Sequence, residues 1–274
     1  MKIDSGMGYI FSKYEIIYIM CAMGVRYSFD ENLKTDLSSK EIIQKAEKNL
    51  IEKDYVFKDI SGNLVLNKEI IEYFKPVASP EKVISCKKII GEFQYRQIFY
   101  MKNNVNVLIE ADSGNNENYI LTYISDNKEI YDYISAFCEI GKLGMEGIND
   151  KFIVTSKQYK LMQNMINAND ETGFELMLSD CDIKKELYSE MKEVFSNKGD
   201  IITFSLCSDC KTDETEYLLY FITNGYIWAV IPNTYGNESI RISSVTMNDV
   251  LNKISDLLNK KFNIKIDVLQ QFFE

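Results

Sequence analysis

The chain has no histidine among its 274 residues. That one absence removes the commonest general base and the commonest metal ligand together, and it lowers the case for an enzyme. No apolar run reaches the ~18 residues that a membrane-spanning helix needs. The first residues carry one lysine, and Lys13 and Glu15 interrupt the apolar stretch behind them, so no signal peptide is read and a cytoplasmic location is expected. Basic residues are outnumbered, 31 against 41, for a formal charge of −10. Such a surface repels phosphate backbones, so neither nucleic acid nor membrane is the expected partner. There is no Gly-x-Ser-x-Gly, P-loop or dinucleotide fingerprint, no EF-hand spacing, and no cofactor is implied. Prolines are few. Pro76 and Pro80 bracket a break, and Pro232 closes a strand because it cannot donate to a ladder.

What is present is ordinary globular composition, 46% hydrophobic and 26% charged. The richest stretch is Tyr217–Leu258. Asn224-Gly225 sits between two apolar runs as a hairpin signal. Tyr226–Ile231 is apolar on both alternating faces, which predicts a strand covered on both sides. Val250, Leu251, Ile254, Leu257 and Leu258 then keep the spacing of one helix face.

From the start, Ser12 with Glu15 is a capping box opening a helix that Gly24 stops. Ser38 with Glu41 predicts a second helix, and Tyr55–Phe57 and Leu64–Leu66 flank Ser61-Gly62-Asn63 as a small hairpin. Asn67 caps a third helix, ending at Lys75 before Pro76. Helix, helix, hairpin, helix resembles a winged-helix unit, yet residues 1–80 hold 11 basic and 12 acidic side chains. A structural module is the plainer reading.

Strands follow over Val83–Ile90, Phe93–Met101, Val105–Ala111 and Tyr119–Ile124. Asn103-Asn104 makes a turn, Asp112–Asn118 a polar loop, and Asp126 or Asn127 caps a helix bearing Ile130, Tyr133, Ile134 and Phe137. This order repeats at an offset of 121. Phe99-Tyr100-Met101 overlies Tyr220-Phe221-Ile222, Val107 overlies Trp228, and Ile130, Tyr133 and Phe137 overlie Leu251, Ile254 and Leu258. Gly141, Gly144 and Gly147 mark a linker rather than a phosphate cradle, because a helix and not a strand precedes them.

The second half opens on helices. Thr155 with Gln158 caps the first, carrying Leu161, Met162, Met165 and Ile166. Asp170–Ser179 is short, and Ile183–Phe195 forms a third that stops at Asn197-Lys198-Gly199. Strands resume at Ile201. In a tail, Phe262, Ile264 and Ile266 alternate like a strand. Five segments result: 1–80 a helical, winged-helix-like module; 81–140 a first sheet-and-helix half; 141–150 a linker; 151–199 a second helical module; and 200–274 a second sheet-and-helix half with the tail. The fold class is α+β, two pseudo-repeats sharing a mostly antiparallel sheet flanked by helical bundles.

Of six cysteines, only Cys207 and Cys210 form a Cys-x-x-Cys. Zinc would need two further ligands with no histidine to help, and a thioredoxin-type pair belongs at a helix start, so the better reading is a solvent-edge loop with incidental cysteines. Asp209, Asp213, Glu214 and Glu216 beside it read as a solvated loop.

Three passages are similar to the EspG-like proteins associated with type VII (ESX) secretion. They are Leu50–Phe57 through Asn67–Pro76 into Val83; Val154 through Phe174–Leu178 and Ile183–Phe195 to Ile201; and Asn224–Tyr226 through Ser243–Thr246 to Leu258. The resemblance implies a pseudo-twofold fold and a cytosolic, non-enzymatic chaperone holding substrates before export. Family members chiefly hold PE–PPE pairs in actinobacteria; Lys-, Ile- and Asn-rich usage here suggests an AT-rich genome unlike theirs, so the resemblance implies a WXG- or LXG-type helical hairpin as the expected partner. A winged-helix regulator or a carboxylate-dependent enzyme are the alternatives. A chaperone needs an adaptable apolar surface, and methionine suits one. Met162, Met165, Met177 and Met191 read first as core, and as adaptable side chains they are also the candidate partner-binding residues, with Phe272 and Phe273 of the tail second.

Overall fold

The computed structural model describes residues 8–25, 39–112, 115–138, 150–197, 199–212, 214–223, 226–232 and 239–265. Along the chain run β1 (Gly8–Ser12), α1 (Lys13–Ala22), α2 (Lys40–Glu52), β2 (Val56–Lys58), β3 (Leu64–Leu66), α3 (Lys68–Ala78), β4 (Lys82–Ile90), β5 (Phe93–Lys102), β6 (Val105–Asp112), β7 (Asn115–Ile124) and α4 (Asn127–Cys138). Then come β8 (Lys151–Thr155), α5 (Ser156–Asn167), α6 (Glu171–Asp180), a 3-10 turn (Lys185–Leu187), α7 (Tyr188–Ser196), β9 (Asp200–Asp209), β10 (Glu214–Thr223), β11 (Tyr226–Pro232), β12 (Ser239–Val245) and α8 (Met247–Leu257). The fold is α+β. Ten strands share one sheet in the order β1-β7-β6-β5-β4-β9-β10-β11-β12-β8, and β2 and β3 pair apart.

Two compact units interleave along the sequence. One comprises 1–85, 95–130 and 206–215, the other 86–94, 131–205 and 216–274. In the first, Phe11, Ile16, Ile19, Leu50, Ile70 and Phe74 come from β1 and the helices and pack on Ile98, Tyr100, Val107, Ile109 and Leu121 of the strands. In the second, β11 buries Ile227, Trp228, Ala229 and Val230 in succession, so both its faces are covered as its unbroken apolar run predicts.

The ladders repeat one register. Phe99↔Leu108 and Leu108↔Thr122 in β5–β6–β7 stand as Tyr220↔Ala229 and Ala229↔Ser243 do in β10–β11–β12, each 121 residues on. Ser12↔Asn118 on one edge has its counterpart in Ser239↔Thr155 on the other. Ser12 and Thr155 both close the capping boxes read from sequence.

Several boundaries differ from expectation. The helix predicted to end at Lys75 continues through Pro76 to Ala78, because Tyr73, Pro76 and Val77 are all buried and that apolar contact outweighs one missing backbone bond. α2 starts after Ser39, which makes no side-chain cap, and Ser38 lies outside the described residues. β7 begins at Asn115, inside the expected polar loop. Ile183 precedes a 3-10 turn rather than opening an α-helix. Phe262 and Ile264 are not strand residues. The chain leaves α8 in a wide helical turn over Leu258–Phe262, Asn263 takes positive φ, and Ile264 N–H donates back to the Leu258 carbonyl. Asn224-Gly225, Gly141, Gly144, Gly147 and Val268–Phe273 lie outside the described residues, though Thr223↔Tyr226 pair across the first of these.

Gly24 sits just past α1 with φ +78, and a Cβ there would meet nothing within 4 Å. Only backbone strain opposes a side chain, so Gly24→Ala should destabilise by about 1–2 kcal/mol. An unchanged urea midpoint would refute that stop.

Candidate partner-binding surface

The helices of the second unit set the geometry. α5 turns Tyr159, Met162 and Ile166 toward the sheet, at the i, i+3, i+7 spacing of one face. Phe174 and Leu178 of α6 and Met191, Val194 and Phe195 of α7 meet them there. The Phe195 ring lies 4.9 Å from Tyr159 and 6.0 Å from Phe174, centroid to centroid. Beneath lie Trp228, Val230, Phe221 and Ile242 of the strands. Trp228 Nε1 donates to Thr223 Oγ1 at 3.2 Å, so its one polar atom is satisfied in the core.

All four candidate methionines belong to this cluster, but not equally. Met162 and Met191 are 0% exposed and act as filler between helices and sheet, while Met165 and Met177 are half-buried at its rim. The difference follows from helix phase, since Met165 is three residues beyond Met162 and turned toward the edge of the face. Phe272 and Phe273 lie outside the described residues. Leu161, carried on the same helix as Met162 and Met165, is exposed.

Apart from Leu161, the outward apolar side chains are absent from the helix faces and strands read in the sequence. Leu176 on α6 is 63% exposed, and Leu161 on α5 is exposed beside Lys157 and Lys160. Ile153 on β8 is 62% exposed, and Ile10, at the matching ladder position on β1, is 55% exposed. A signal for these edge strands was available. Tyr9-Ile10-Phe11 and Phe152-Ile153-Val154 are apolar triplets placed immediately before the two capping boxes. α6 is tied to α7 by an ion pair between Lys192 and Glu171, whose carboxyl that hydrogen bond holds below its usual range. Lys184 bonds Asp150 at 2.8 Å, which raises its own pKa.

In the first unit, Phe57 and Val65 are cross-strand partners on the β2–β3 hairpin and both are exposed, with Ile60 fully exposed at its turn. α2 carries Lys40, Lys45 and Lys48 against Glu41, Glu47 and Glu52, and Lys48 pairs with Glu52. That is no basic stripe. Glu47 accepts from Tyr18, whose phenol is pushed up to about 12 by burial and by Glu47 itself. A cleft of about 320 Å³ lies among Ser12, Tyr14, Lys45, Asn49, Glu117 and Asn118. The acids expected as a loop are split: Asp209 ends β9 and accepts from Lys211 N–H, while Glu214 and Glu216 lie in β10, where Glu216 pairs with Lys261 at 2.6 Å. Among the described residues, no three cysteine, aspartate or glutamate side chains are placed to hold a metal, and no helix is long and apolar enough to cross a membrane.

No protein-family model matches the chain, and no curated protein matches it. Among solved structures it is similar to the Mycobacterium tuberculosis type VII secretion system chaperone EspG5, determined in complex with the PE25–PPE41 dimer. The TM-score is 0.65 at 10% sequence identity, over 92% of this chain and 96% of that one. At that identity the likeness establishes the fold.

Proposed function

We propose that this protein is a non-enzymatic cytoplasmic chaperone that holds a type VII-secreted helical-hairpin protein, of WXG or LXG type, before export. The observation that carries it is a fold shared over nearly the full length of both chains with a type VII secretion chaperone determined in complex with a PE–PPE dimer. The five sequence segments and the two related halves belong to the same reading, supported by the common ladder register of β5–β6–β7 and β10–β11–β12.

The binding surface of this proposal is the outer side of α5 and α6. Leu161 and Leu176 supply apolar contact there, and Met165 and Met177 supply adaptable side chains at the rim. Met162 and Met191 support that surface from beneath. A helical substrate lays its own apolar face on such a patch, and a charge at its centre is desolvated without a partner. Leu176→Asp and Met165→Asp should each weaken capture of a co-expressed WXG- or LXG-type partner encoded nearby by about tenfold or more. Their melting curves should stay close to wild type. Full capture by both folded variants would place the surface elsewhere.

A further inference from the structure

Cys207 lies near the end of β9, and Cys210 follows in the turn; their Sγ atoms are 3.5 Å apart. Cys207 is buried in the core of the first unit, and Cys210, half-buried, packs against that core. The contact is held by backbone rather than left to chance. Cys210 N–H donates to the Glu81 carbonyl at 3.0 Å, and Glu81 N–H donates to the Met101 carbonyl at 2.9 Å. The Glu81 carboxylate in turn accepts from Asn103 N–H at 3.4 Å. The end of β9, the start of β4 and the β5–β6 turn are thus stitched together at the dithiol.

The other cysteines are placed differently. Burial pushes the Cys86 thiol far up and the Cys138 thiol to about 12, so both resist forming the reactive thiolate. Cys181 accepts a hydrogen bond from Gln158, and Cys21 is exposed.

We propose that Cys207 and Cys210 form an oxidisable dithiol, a modification site that takes a hydroperoxide. The Cys210 thiolate, on the more accessible sulfur, attacks the peroxide oxygen. The O–O bond breaks, and Cys210 becomes a sulfenic acid as the peroxide leaves as alcohol or water. Cys207 sulfur then attacks Cys210 sulfur, the S–O bond breaks, and water departs with the Cys207 proton. In sum, two thiols and one hydroperoxide give one disulfide, one water and one alcohol, or a second water when the oxidant is hydrogen peroxide. The sulfurs need only about 1.5 Å of approach to reach bonding distance. This site stands independently of the proposed binding role.

The test treats the full chain with hydrogen peroxide and then counts free thiols in denaturant. The count should fall from six to four. Peptide mapping should find a Cys207–Cys210 bond that dithiothreitol reverses, and amide exchange at Glu81 and Cys210 should change on oxidation. Cys210→Ser, which leaves the buried Cys207 in place, should keep all five of its remaining thiols under the same exposure. The proposal is overturned if the bond joins any other pair, if Cys210 over-oxidises while Cys207 stays free, or if the variant loses thiols as wild type does.

Discussion

Met162→Asp should leave the second unit without a cooperative fold. Met162 is 0% exposed, between Phe174, Leu178 and Phe195 on the helices and Trp228 on the sheet. Removing its volume costs about 2–5 kcal/mol, as other large-to-small core changes do. Placing an unpaired carboxylate there adds several kcal/mol more, unless it stays protonated at comparable expense. Together these approach the about 5–15 kcal/mol that holds a domain folded. Trp228 is the chain's single tryptophan and lies in the same cluster, so its fluorescence reports this unit alone. The variant's emission should be red-shifted to that of the urea-unfolded chain, whereas Met162→Leu should stay within about 1.5 kcal/mol of wild type. A native-like melt for Met162→Asp would mean that the side chain reaches solvent. The consequence for function is direct: lost partner capture in this variant reports unfolding, and only rim and outer positions such as Met165 and Leu176 can test the surface.

Lys53→Met is the second large effect, in the first unit. Glu15 is 1% exposed, and Lys53 Nζ reaches its two carboxylate oxygens at 2.8 and 3.0 Å, donating also to the Ile10 carbonyl. The same carboxylate accepts from Ser12 N–H at 2.6 Å to close the capping box. With the ammonium gone, a buried charge keeps only that one donor among the described residues. The loss should be about 3 kcal/mol, at the low end for a broken buried pair because Lys53 is itself partly exposed. Methionine retains the stem that places Nζ 5.7 Å from the Phe11 ring centroid, so lost packing is not the cause. Adding Glu15→Gln should recover most of the loss, as a neutral amide needs no counter-charge. The molecule already holds that arrangement, for Gln158 closes the Thr155 capping box without any ion pair. A thermal melt should fall by roughly 6–12 °C in the single variant and by much less in the double. Equal losses in both would show that Glu15 and Lys53 are not coupled.

Local chemistry determined much of this molecule. The capping boxes at Ser12 and Thr155 and the left-handed stops at Gly24 and Asn197 act within one helical turn, so the residues alone fix where those helices begin and end. The paired asparagines Asn103 and Asn104 both take positive φ, which their side chains tolerate, and they set the β5–β6 turn. Apolar runs bounded by turn residues foretold β4–β7 and β9–β11, and the α+β class with them. Tertiary structure decided what sequence distance hides. Tyr9-Ile10-Phe11 and Phe152-Ile153-Val154 are apolar but short, and it is pairing with β7 and β12, over 80 residues away, that makes them β1 and β8. Pro76 stays helical because a core is there to receive it. Whether a methionine serves core or surface depends on helix phase against a sheet that composition cannot locate. Met162 and Met165 are the same residue type on one helix, and the strands beneath alone made one filler and the other rim.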